Sequence, residues 1–177
     1  MRRRLLLLLI APAMAGCTLD PSGAYLGGFG DPVRGAALNA PWLFGDMSRY
    51  AGNPAGAARA VAQVEFLTDA LFNDPFWSPR IQGTVPIQMR MGRDELRAAL
   101  GIAPDAGTQA VIAGMRGAAD ALAQGSTPRA EAALSAPLFT AGGRETLDRL
   151  GSLPRLPRLA EAAGGVAAEF DRLDRRR

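Results

Sequence analysis

The stretch NPAGAARAVAQVEFLTDALFN, residues 53–73, decides the fold. Asn53 suits a helix N-cap, because its side-chain oxygen accepts from an orphan backbone N–H. Pro54 suits the first helical position, where its fixed φ is right and its missing N–H costs nothing. Behind this start, Val61, Val64, Leu67 and Leu71 recur three and four residues apart on one side, with Phe66 opposite them. A helix apolar on both sides belongs in the middle of a core. Asn73, Asp74 and Pro75 stop it.

The same period runs outward through the rest of the chain. Over 105–124, Val111, Met115, Ala118 and Leu122 form one stripe, and from Pro157 onward Leu159, Ala163, Val166, Phe170 and Leu173 form another. Shorter helices are expected over 41–50, 94–100, 130–134 and 144–150. The prediction is an all-α domain over 41–177, a small bundle of about six helices. Ala110, Gly114 and Ala118 give small residues at four-residue spacing, which suits close helix packing, inside the domain in preference to across a dimer. The least ordinary segment is 75–92. Val85, Ile87, Met89 and Met91 alternate there with Pro86, Gln88 and Arg90, a strand-like period of two, while Pro86 bars a central strand. The expectation is one long extended arm laid across the helices, apolar side inward.

Ahead of the domain, residues 17–40 hold Pro21, Gly23, Gly27, Gly28, Gly30, Pro32 and Gly35 with little periodicity, and read as a flexible tether. The first residues read differently. Arg2, Arg3 and Arg4 precede the apolar run from Leu5 to Ile10, and small residues follow. This is the layout of a secretory signal peptide over 1–16, and its apolar part is far short of the roughly 20 residues of a membrane-spanning helix.

The segment ends Met14-Ala15-Gly16-Cys17, which resembles the lipobox of bacterial lipoprotein precursors. Met14 stands where Leu is usual in that class. The resemblance implies diacylation of the Cys17 thiol, cleavage between Gly16 and Cys17, and a further acyl chain such as palmitate on the new amino terminus. Three chains make a stable anchor. Thr18 stands where an Asp would signal inner-membrane retention in the enterobacterial scheme, so the resemblance favours the outer membrane over the inner. Ala13-Met14-Ala15 also fits ordinary secretory cleavage, which would leave Cys17 a lone exported thiol. The remainder of the chain resembles no family.

Charge and composition then narrow the function. The 177 residues carry a net charge of +3, with no His, one Cys and 20 basic residues that are all Arg. Loss of 1–16 removes three of those arginines and leaves 17 against 17 acids, so a nucleic-acid reading falls away. Without His there is no imidazole base or ligand, and without Lys no Schiff base or P-loop lysine. No metal site, and no cofactor, is expected. Carboxylates remain, but none of Glu65, Glu95, Glu131, Glu145, Glu161 and Glu169 is followed by Ser, the pair that lytic transglycosylases carry.

Nine of the eleven aromatic residues lie between Tyr25 and Trp77. Trp42, Tyr50, Phe76 and Trp77, with Arg80 and Arg90 of the arm, are the candidate ligand or partner surface. The expectation is a non-enzymatic, lipid-anchored protein of the bacterial envelope, facing the periplasm, with a scaffold role and a protein partner. A carrier of a small apolar ligand is the alternative, and a carboxylate-dependent cell-wall hydrolase stands third.

Overall fold

The computed structural model describes residues 30–176. The expected signal peptide over 1–16, with Gly16 and Cys17 at its cleavage site, and the part of the expected tether up to residue 29 lie outside them.

The described chain is all-α. Seven helices follow one another: α1 (Pro32–Phe44), α2 (Pro54–Asn73), α3 (Thr84–Leu100), α4 (Thr108–Ala123), α5 (Thr127–Ala133), α6 (Gly143–Leu150) and α7 (Pro157–Asp174). Short 3-10 turns at Met47–Tyr50 and Ser78–Arg80 link them, and a lone antiparallel bridge joins Ile102 to Phe139. Among the described residues no helix is long and apolar enough to cross a membrane.

The helix over 53–73 forms as its sequence predicts. Asn53 accepts from the Gly56 N–H at 2.9 Å, and Val61, Val64, Leu67 and Leu71 are all buried. Helix α2 packs most extensively on α4 and also touches α1, α3 and α6, so it is the central element. Helix α7 packs extensively against both α1 and α3. Gly114 of α4 lies under the Phe139 ring and Ala118 is buried, so these two small residues serve internal packing, whereas Ala110 is exposed.

Two expectations are corrected. Residues 32–40 are not tether, and no helix opens at Pro41. Asp31 caps α1, its Oδ1 accepting from the N–H groups of Val33 and Arg34, and Pro32 takes the first helical position. Val33, Ala36, Ala37, Ala40 and Phe44 are buried at helical spacing, and Pro41 sits within the helix on its exposed side. Small alanines among glycines resemble linker by composition, yet they are what lets α1 lie close against α7.

The second correction is the extended arm over 75–92. From Thr84 onward it is helix, ten residues ahead of the expected start at 94. Pro86 falls in the first turn, where its missing N–H has no intrahelical partner to lose. The alternation concealed a helical period. Val85, Met89, Gly92, Leu96 and Leu100 are buried, while Ile87 and Met91, also four apart, face outward together.

Candidate functional site

What remains irregular of the arm, residues 74–83, is pinned from two helices. Asp74 accepts at Oδ1 from the N–H groups of Phe76 and Trp77, which closes the turn after α2. Trp77 then turns inward. Its Nε1–H donates to Asp31 Oδ2 at 2.6 Å and its ring packs 4.6 Å from that of Phe170. Farther along, the Gln82 N–H donates to Glu169 Oε1 at 3.0 Å. Two hydrogen bonds from the Arg172 guanidinium lower the Glu169 pKa below the usual carboxylate range; burial opposes this, and the Gln82 N–H adds to the lowering.

A segment fixed in this way presents its other side chains to solvent in a defined arrangement. Phe76 faces out with the Arg80 guanidinium 3.9 Å above its ring, and Arg80 also donates to the Phe76 carbonyl. Across α2 and α3, the Arg90 guanidinium stands 5.2 Å from the Phe72 ring, flanked on its own helix by Ile87 and Met91. Phe72, Phe76, Ile87 and Met91 are each 40–47% exposed. Arginine over aromatic, beside Met and Ile, is the composition enriched at the centres of protein interfaces.

The sequence-predicted residues therefore separate. Phe76 and Arg80 form one exposed pair, and Arg90 forms another with Phe72. Trp77 joins neither: it is 3% exposed and is part of the core. Trp42 and Tyr50 form another neighbourhood at the C-terminal end of α1, where Arg49 lies 4.4 Å from the Trp42 ring and 5.6 Å from that of Tyr50. The Tyr50 hydroxyl donates to the Leu43 carbonyl at 2.7 Å, and burial raises its pKa. Trp42 is 65% exposed.

The sequence reading missed Glu65, which is fully buried and meets Arg97 in a two-bond pair. The signal was present: Glu65 lies four residues after Val61 and three before Thr68, an acid on a buried stripe. Arg97 borders an open cleft of about 290 Å³ with Arg93, Asp94, Ile102 and Pro104. Its guanidinium is already occupied by Glu65 and by the carbonyls of Pro104 and Ala106.

Other carboxylates are tied into the fold as well. Glu95 accepts from the Leu159 N–H at the start of α7, and Glu145 pairs with Arg149. Among the described residues, no three His, Cys, Asp or Glu side chains are grouped to share a metal ion. No protein family, no curated protein and no solved structure matches the chain.

Proposed function

We propose that this protein is a non-enzymatic accessory component of a bacterial envelope, anchored through acylated Cys17 and facing the periplasm, with the outer membrane favoured over the inner. It binds a protein partner through the face of Phe72, Phe76, Ile87, Arg90 and Met91. The observation that carries this reading is the exposure of large apolar side chains on the two helices α2 and α3 and on the segment between them, which Asp31 and Glu169 hold rigid. A preorganised patch gives up little side-chain freedom on binding, and aromatic and Arg side chains contribute most at such surfaces. The engagement of Glu65, Glu95 and Glu169 in hydrogen bonds to the protein itself adds support for a binding role over a hydrolytic one.

The test is crosslinking of the full chain in native membranes, followed by affinity capture. An envelope protein should co-purify with the parent chain and be lost when Ile87→Glu and Met91→Glu are combined. A variant at the exposed Gln124 should retain it. Repeated recovery of the chain alone would rule the partner out.

A further inference from the structure

The outward ridge of α1 lies in the C-terminal half of that helix, away from its Asp31 cap, whereas the partner face is carried by α2, α3 and the segment between them. The exposed residues of the ridge are Leu38, Asn39, Pro41 and Trp42, and helix α1 contains no acid. Trp42 is the most exposed of the large apolar side chains among the described residues. Arg49 stacks on the indole and donates to the Trp42 carbonyl, so a cation and an amphipathic ring share one outward position. Indole rings favour the headgroup layer of a bilayer, and a guanidinium matches lipid phosphate.

The covalent path points the same way. Helix α1 is the first described element, and only residues 18–29 separate Cys17 from Gly30. Twelve residues span at most about 40 Å. Gly30 directly precedes Asp31, the cap of α1, so α1 is the first element of the domain that the chain reaches from Cys17. A helix of 13 residues is itself only about 20 Å long, so its ridge lies within that reach.

We propose that the Leu38–Trp42 ridge of α1, with Arg49, rests on the phospholipid headgroup layer of the membrane in which Cys17 is anchored. This rests on the reading of Cys17 as acylated. Two apolar side chains bind a bilayer too weakly to hold a protein there, so the acyl chains supply residence and the ridge sets orientation.

The chain supplies its own reporters, since one of its two tryptophans is exposed and the other buried. The full chain, extracted from membranes, is reconstituted into vesicles of phosphatidylethanolamine and phosphatidylglycerol with and without brominated acyl chains. Intact mass of the same sample reads acylation. Bromine should reduce Trp42 emission about twofold, while the Trp42→Phe variant, which keeps Trp77, should lose almost nothing. Unquenched Trp42 on an acylated chain overturns the ridge and leaves the anchor standing. A chain without acyl mass and without quenching overturns both. Trp42 shielded from acrylamide in native membranes but unquenched in vesicles means that a protein covers the ridge, and also overturns it.

Discussion

Glu65 and Arg97 meet side-on inside the core, Nε to Oε1 and Nη2 to Oε2, each at 2.6 Å, with both side chains almost wholly withdrawn from solvent. The third nitrogen of Arg97 donates to the carbonyls of Pro104 and Ala106, at 3.2 and 3.0 Å. One guanidinium therefore fixes α2 against α3 and closes the connection to α4. It also sets where Arg90 falls relative to Phe72, and so helps define the proposed partner face.

Removing one member of this pair leaves the other buried without its counter-charge. Glu65→Ala or Arg97→Ala should each destabilise the domain by about 3–5 kcal/mol in urea unfolding. Replacing both, as Glu65→Leu with Arg97→Met, should recover much of that loss, since apolar pairs of similar volume often match a buried ion pair. A double variant as unstable as the singles would mean that the bonds to Pro104 and Ala106 contribute more than the ion pair.

Glu169 makes stability depend on pH. Its folded pKa is depressed, chiefly by Arg172, so its contribution is complete above the unfolded value of about 4.3 and declines as pH falls through the lower folded value. The urea midpoint should fall on acidification below about pH 5, and Glu169→Gln should flatten that decline. A Gln variant with the parental acid profile would remove Glu169 from the explanation.

How much was legible depended on how each element announces itself. Helix α2 carried a cap, a Pro at its first position and large apolar residues, and all of these act locally. Helix α1 is held by alanines whose burial depends on α7, more than a hundred residues away, and nothing local reports that contact. In α3, residues 85, 87, 89 and 91 satisfy a period of two and contain two helical pairs, and only packing decides between them. Phe76, Arg80 and Arg90 are exposed, in keeping with the surface the sequence suggests. The burial of Trp77 required Asp31 and Phe170, neither of which its neighbours in sequence reveal.

Asp31 serves two elements with its two oxygens, capping α1 with one and holding Trp77 with the other. Asp31→Ala should cost about 2–3 kcal/mol, the sum of a lost cap and a lost bond to a buried donor. The loop 74–83 should loosen with it, read as faster amide exchange at Trp77 and Gln82. Unchanged exchange there would show that Asp74, Glu169 and Phe170 hold the segment without Asp31.

Two glycines in neighbouring helices should respond to alanine with opposite signs. At Gly92 an added Cβ would stand 2.8 Å from the Leu159 Cα, a backbone atom that moves only if α7 moves. At Gly164, on the exposed side of α7, nothing lies within 4 Å. Alanine is favoured over glycine in either helix by about 0.5–1 kcal/mol through backbone entropy. Gly164→Ala should gain that amount in full. Gly92→Ala should lose about 1–2 kcal/mol net, because overpacking of a close helix contact outweighs the entropic gain. The same displacement would shift α3, so the Gly92 variant should also weaken capture of a partner at Ile87 and Met91, while the Gly164 variant should not. Equal gains at both positions would mean that α3 and α7 do not approach this closely.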